Sequence, residues 1–307
     1  MPPYLSGILV GFLEPVLHAW SNIIDNHFSN AVFPRLPVLL FFGVALNIVF
    51  LPITFLAGLP VMLPVTLLGI VFVIAIVNVV YAFPYYLALR DADTSVVASL
   101  FSLGRIFVPV LAYFILGEVL TLPQYAGFFV IILSSALLTL DLKKLKVNRA
   151  FFLMLACSFV LAFQTILYKF VFDAGASWPS VVAALTVFEL VIAGAIMFAT
   201  TSLRHIREDL GTVRRNWKLF VAQQGLEWGG NVGASYAISI LQVTVAQAIA
   251  STQPFFVLLY AVLFKKWFPN AFNETTARGD LLKKGILFAC IILGTVLVVA
   301  HGPVIDV

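Results

Sequence analysis

The run Leu67-Leu-Gly-Ile-Val-Phe-Val-Ile-Ala-Ile-Val-Asn-Val-Val80 lies inside a longer stretch, Pro64 to Leu89, that carries no charged side chain. Wound as an α-helix at about 1.5 Å per residue, that stretch is longer than the roughly 30 Å of a bilayer's hydrocarbon core. A helix apolar on every face needs either a large protein interior or lipid around it. The rest of the chain decides for lipid: its 307 residues are 62% hydrophobic and only 10% charged, whereas soluble domains carry about 25% charged residues. Similar apolar windows recur along the whole length, and in lipid only internally bonded helices or closed barrels satisfy the backbone. The composition therefore excludes an ordinary soluble protein and predicts an all-α integral membrane protein.

Hydropathy and helix breakers together predict ten transmembrane helices, over about 4 to 24, 36 to 57, 64 to 89, 94 to 117, 122 to 140, 148 to 171, 180 to 200, 217 to 238, 243 to 264 and 282 to 300. The first is read as a retained helix, because it lacks the basic flank and small-residue cleavage site of a signal peptide. The longest connections, 201 to 216 and 265 to 281, are charged and are read as loops. Cys157 and Cys290 fall in apolar segments, where a cysteine serves as a small packing residue rather than half of a disulfide or a metal ligand.

Basic residues divide by side. Loops one-two, three-four, five-six, seven-eight and nine-ten, with their flanking helix ends, hold Arg35, Arg90, the cluster Lys143, Lys144, Lys146 and Arg149, the group from Arg204 to Lys218, and Lys265, Lys266, Arg278, Lys283 and Lys284. Lys169 and Arg105 are left over. The positive-inside rule puts the basic loops in the cytoplasm and both termini outside it. The formal charge of +4 is thereby explained by topology and implies no nucleic-acid partner. Asn273-Glu-Thr275 matches a glycosylation sequon but sits in a loop predicted to be cytoplasmic.

The two halves resemble each other at an offset near 150 residues. Val97-Ala-Ser-Leu-Phe-Ser-Leu-Gly-Arg-Ile-Phe-Val108 lies over Ala246-Gln-Ala-Ile-Ala-Ser-Thr-Gln-Pro-Phe-Phe-Val257, and Glu14, His18 and Asn22 fall over Gln164, Tyr168 and Phe172. Residues 1–147 and 148–307 then form two five-helix repeats. Five is odd, so the second copy enters the membrane upside down relative to the first, and a substrate site is expected near the midplane between them.

Leu116-Gly-Glu-Val-Leu-Thr-Leu-Pro-Gln-Tyr-Ala-Gly127 resembles the Gly-Glu-x-x-Thr-x-x-Gln-x-x-Gly signature of EamA-like transporters in the drug/metabolite transporter superfamily. The resemblance implies a ten-helix secondary transporter, often an exporter of amino acids or other small metabolites, with no bound cofactor. Two features depart from the family pattern. Arg105 stands where the family usually has a proline, which the second copy keeps as Pro254, and Lys266-Trp267 replaces the second Gly-Glu ahead of an added loop from Phe268 to Arg278.

A charge at the bilayer centre costs roughly 2.5 to 3.5 kcal/mol on insertion scales, so ionisable groups there are functional candidates. Glu14, Arg105, Glu189 and Glu227 fall near the middle of their predicted helices. Glu14, His18 and Asn22 are spaced four apart and share one helical face. That face reads either as a substrate or proton site or as an interhelical hydrogen-bond cluster. Pro15 removes a backbone donor beside it and frees the carbonyl of Gly11. No second His or Cys sits at ligand spacing, so His18 is not read as a metal ligand.

Arg105 is expected to pair with one Glu, the alternative being a bidentate grip on a substrate carboxylate or phosphate. Pairing leaves two acids, which can exchange protons during transport or face a cationic substrate. Gln224, Glu227, Trp228 and Asn231 share one face of helix eight, as a pocket for a polar organic molecule requires, and Gln253 of helix nine and Gln164 and Tyr168 of helix six are candidate site residues with them. Tyr81, Tyr85, Tyr86 and Tyr236 either add an aromatic wall able to hold an ammonium group or simply fill helix contacts. Glu118 is expected to hold helices four and five together.

The sequence thus predicts a plasma-membrane secondary transporter, monomeric or homodimeric, whose partners are a small-molecule substrate, membrane lipid and protons. The competing reading is a membrane-embedded enzyme acting on a lipid-borne substrate with Glu14 and His18 as acid and base.

Overall fold

The structure, a computed structural model, describes residues 3–91, 100, 104–139, 149–264 and 278–300, and among these every regular element is helical. Helices α1 (Pro3–Gly11) and α2 (Leu13–His27) form one interrupted rod. The interruption follows from Pro15, which has no N–H for the carbonyl of Gly11. Next come α3 (Leu36–Phe50), which tightens into a 3₁₀ stretch from Leu51 where Pro52 enters, and α4 (Val65–Asp91) with Pro84 inside it. The short α5 (Phe107–Leu111) relaxes into a π turn, Ala112–Leu116, and α6 (Leu122–Thr139) follows.

The remaining elements are α7 (Arg149–Asp173), α8 (Trp178–Thr200), α9 (Leu203–Arg215), α10 (Trp217–Ile240), α11 (Val243–Ala250), α12 (Gln253–Phe264) and α13 (Arg278–Ala300). Pro3–Asn30, Leu36–Ala57, Val65–Arg90, Met154–Asp173, Trp178–Thr200 and Val243–Tyr260 are long and apolar enough to cross a membrane, and shorter apolar helices cover Phe107–Leu116, Leu122–Leu137 and Gly285–Ala300. Two expectations need correction. The connection 201 to 216 is largely the helix α9, whose charge density hid its helical pattern, and the first predicted helix runs on to His27 instead of stopping near 24. The clusters around Lys143 and Lys265, the added loop and the sequon Asn273-Glu-Thr275 lie outside the described residues, as does half of Val97 to Val108.

The packing interleaves the two halves of the chain. α2 lies against α10 and α12, α4 against α7 and α8, α3 against α8, α7 against α5, and α6 against α13. Exchanging each predicted window with the one five places later turns the contact of α2 with α10 into that of α7 with α4. The same exchange turns α2 with α12 into α7 with α5, and maps the pairs α3 with α8 and α6 with α13 onto themselves.

Each residue of the Gly-Glu-x-x-Thr-x-x-Gln-x-x-Gly stretch has a structural task. Gly117 adopts φ +67°, the left-handed turn that ends the π segment and that side chains disfavour. The Glu118 carboxylate accepts the backbone N–H groups of Val243 (2.9 Å) and Thr244 (3.0 Å), capping the start of α11. This corrects the expected tie between helices four and five: Glu118 ties the first half to the second. Gln124 Oε1 accepts from Thr121 N and Oγ1 at the head of α6. At Gly127 a Cβ would stand 2.6 Å from the carbonyl oxygen of Gly294, so glycine is what lets α6 and α13 pack backbone to backbone.

Candidate functional site

Two adjoining cavities open between the interleaved helices. The first is lined by Asp25, Asn47, Asn78, Tyr81, Tyr85, Tyr86, Tyr168, Thr186, Glu189, Gln223, Gln224, Glu227, Trp228 and Asn231, among others. The second is lined by Glu14, His18, Asn22, Arg105, Ser158, Gln164, Gln247 and Gln253, and shares Asn78, Tyr81, Tyr168, Glu227 and Asn231 with the first. All thirteen sequence-predicted site residues therefore border one cavity or both: Glu14, His18, Asn22, Tyr81, Arg105, Gln164, Tyr168, Glu189, Gln224, Glu227, Trp228, Asn231 and Gln253. Tyr236 is not among the lining residues; its hydroxyl lies 3.3 Å from Ser6 Oγ and its ring meets Trp178 edge-on.

Charge is handled differently at three places. Arg105 Nη2 donates to Glu14 Oε1 at 2.9 Å, so the one midmembrane arginine is paired with the first acid of α2. Three turns further along the same face, Asp25 is 1% exposed and is held by neutral donors. Tyr86 OH donates to Oδ1 at 3.1 Å, Gln223 Nε2 to Oδ1 at 2.8 Å, and Tyr85 OH to Oδ2 at 3.1 Å. Ser21 joins Asp25 to Glu227: its hydroxyl donates to Glu227 Oε2 at 2.6 Å and lies 3.5 Å from Asp25 Oδ2. The third place is Glu189, whose Oε1 accepts from Asn78 Nδ2 at 2.6 Å. Gln164 Nε2 donates to Asn78 Oδ1, so the amide of Asn78 links α7 to the acid of α8; its Nδ2 also reaches Tyr168 OH at 3.3 Å.

His18 faces Glu227, not Glu14. Its Nε2 is 4.0 Å from Glu227 Oε1 and 3.4 Å from the Glu227 carbonyl oxygen, and the ring occupies the space where a Cβ on Gly230 would be, 2.4 Å from His18 Cδ2. Asn231 Nδ2 reaches Glu227 Oε1 at 3.4 Å. The acid–base couple that the enzyme reading requires of Glu14 and His18 is thereby divided between two partners, Arg105 and Glu227. Among the described residues, Asn22 Nδ2, Arg105 Nη1 and Trp228 Nε1 are buried donors without a hydrogen-bond partner. The two cavities thus hold the acids Asp25, Glu189 and Glu227 and the unpartnered donors of Asn22, Arg105 and Trp228 in their walls.

Sequence reasoning missed several contributors. Asp25 continues the spacing of Glu14, His18 and Asn22 by three residues, and ending the helix near 24 excluded it. Asn78 is the lone amide of the uncharged run quoted at the outset, a signal that its position in a span makes costly unless it is bonded. Asn47 gives helix two a share of the lining, and Thr186 joins Glu189 from helix seven. Among the described residues no group of three or more His, Cys, Asp or Glu side chains is placed to hold a metal ion.

Residues 5–140 match the model of the EamA-like transporter family. That family belongs to the drug/metabolite transporter superfamily, whose EamA members are membrane transporters. With its apolar helices, the chain is an integral membrane protein. No curated protein matches its sequence. The fold recurs among solved structures: one crystal structure shares a TM-score of 0.63 over 95% of this chain and 97% of its own, at 14% identity, a likeness of fold alone.

Proposed function

We propose that this chain, which carries an EamA-like transporter domain at residues 5–140, is a secondary active transporter of a small amine-bearing metabolite such as an amino acid or amine. It works by alternating access as an exporter in the plasma membrane, drawing on the proton gradient. The observation that carries the reading is the charge balance of the cavities: Asp25, Glu189 and Glu227 line them, while the arginine in reach is already engaged by Glu14. A cationic group or a proton offsets that surplus, whereas a simple anion adds to it. The unpartnered donors of Asn22, Arg105 and Trp228 suit the acceptor end of the same solute, as in a zwitterion.

The architecture in this reading is ten transmembrane helices in two inverted five-helix repeats, residues 1–147 and 148–307, with both termini extracytoplasmic. The contact pattern that returns to itself under a shift of five windows supports it. Proteoliposomes loaded with candidate solutes test the function. Efflux of an amine-bearing solute, driven by an imposed pH gradient, is expected; chemical conversion without flux, or flux restricted to anions lacking an amine, counts against it. A C-terminal reporter that fluoresces only in the cytoplasm should stay dark.

A further inference from the structure

The helix α9 is absent from the transport site, yet its surface is patterned. It begins three residues after the spanning helix α8 ends at Thr200 and stops just before Trp217, so it lies at one end of the bundle, where membrane meets water. Leu203, Arg207, Leu210 and Arg214 follow one another at four, three and four residues, which places them along one face of α9, and Trp217 opens α10 just past the turn at Asn216. All five are exposed; Leu203 at 66%, Leu210 at 47% and Trp217 at 55% are large apolar groups turned away from the protein.

The opposite side of α9 is accounted for. Arg35 Nη1 donates to Asp209 Oδ1 at 3.0 Å and its Nη2 to Glu208 Oε2 at 3.2 Å, while Arg204 Nε donates to Glu208 Oε1 at 3.1 Å. Val213 packs against the cluster of Phe28, Phe33 and Phe220. Both acids of α9 are thus engaged, and Arg207, Arg214 and Arg215 are exposed cations with no ion pair among the described residues. A helix docked at the end of the spans that alternates apolar and guanidinium side chains on its free face matches the interfacial boundary of a bilayer. Leu and Trp enter the acyl margin, and Arg, whose planar fork accepts phosphate oxygens two at a time, meets the headgroups.

We propose that α9 lies in the plane of the membrane surface and binds the phosphodiester headgroups of anionic phospholipids through Arg207, Arg214 and Arg215, with Leu203, Leu210 and Trp217 buried among the acyl chains. The test uses the full chain with Cys157 and Cys290 replaced by Ala and a single nitroxide at Leu210→Cys or, as a control further round the helix, at His205→Cys. In phosphatidylcholine bilayers the label at 210 should collide more with oxygen than with an aqueous nickel chelate, and the label at 205 the reverse. Adding phosphatidylglycerol at low salt should shift the 210 label deeper, and high salt should cancel that shift. The Arg207→Gln, Arg214→Gln, Arg215→Gln variant should lose the phosphatidylglycerol-induced shift while keeping the native melting temperature in detergent. A 210 label as open to nickel as the 205 label overturns the interfacial placement. A shift that persists in the triple variant overturns the headgroup assignment.

Discussion

The polar face of α2 treats buried charge in two ways at its two ends. At Glu14 the carboxylate meets a guanidinium at 2.9 Å, and the pair is internally neutral. At Asp25, three turns on, two tyrosine hydroxyls and a glutamine amide supply the bonds, and the nearest charged neighbour, reached through Ser21, is another acid, Glu227. An ion pair in a low-dielectric interior is closed: removing one partner strands the other. An acid held by neutral donors keeps its charge available, so it can respond to a proton or to a cation in the adjoining cavity. The comparison moves the expected centre of the chemistry away from Glu14, where α2 first looked unusual, to the Asp25 and Glu227 end.

The largest effect is expected at the closed end. Arg105→Ala leaves Glu14 as an unpaired buried carboxylate and should cost about 3–5 kcal/mol, read as lost folded yield and melting temperature. Adding Glu14→Gln should restore most of the loss, and failure of that rescue would break the pairing account. At the open end, Asp25→Asn keeps the shape but sets an amide against donors that need an acceptor. A smaller loss of roughly 1–3 kcal/mol is expected, together with a changed pH dependence of transport that Arg105→Ala with Glu14→Gln does not reproduce.

A third acid serves as a control outside both ends. Glu118 caps α11 from the first half of the chain, so Glu118→Ala should cost about 0.5–2 kcal/mol in thermal unfolding and leave the pH profile of transport unmoved. The smallest effect belongs to the surface. Desolvation nudges the Glu208 carboxyl upward, but the bonds from Arg204 and Arg35 outweigh it and hold the group below its ordinary 4.5. Its contribution is therefore full above that value and disappears as pH falls through the lowered one. The hydrogen-exchange protection factors of α9, corrected for the intrinsic pH dependence of amide exchange, should be flat from neutrality down to the carboxylate range and fall only below it.

The legible part of the molecule was the part written in long-range pattern. Apolar windows overlap the six segments long and apolar enough to span, and the placement of cations, together with an offset near 150 residues, suggests two halves. The thirteen candidate residues border two cavities because an ionisable or amide side chain in a span has few places to go except a polar interior. Pairing within that interior was legible for Arg105, the lone cation among several acids. It was not legible for His18, whose partner Glu227 lies 209 residues away in the chain. Asp25 was lost to a helix end misplaced by three residues, and α9 to a hydropathy window that averages arginine against leucine. Glu118 showed as a motif without its purpose, since a cap on a helix 125 residues distant has no local signature.

One measurement bears most directly on the acid-lined cavity as the site of transport. Glu227 borders both cavities, contacts His18 and Ser21, and is not engaged by Arg105. Efflux of an amine-bearing solute from proteoliposomes should fall by roughly tenfold or more in Glu227→Gln, the loss of one charge-assisted contact of about 1.5–3 kcal/mol, with folded yield close to native. Efflux at the native rate from well-folded Glu227→Gln protein would contradict the account.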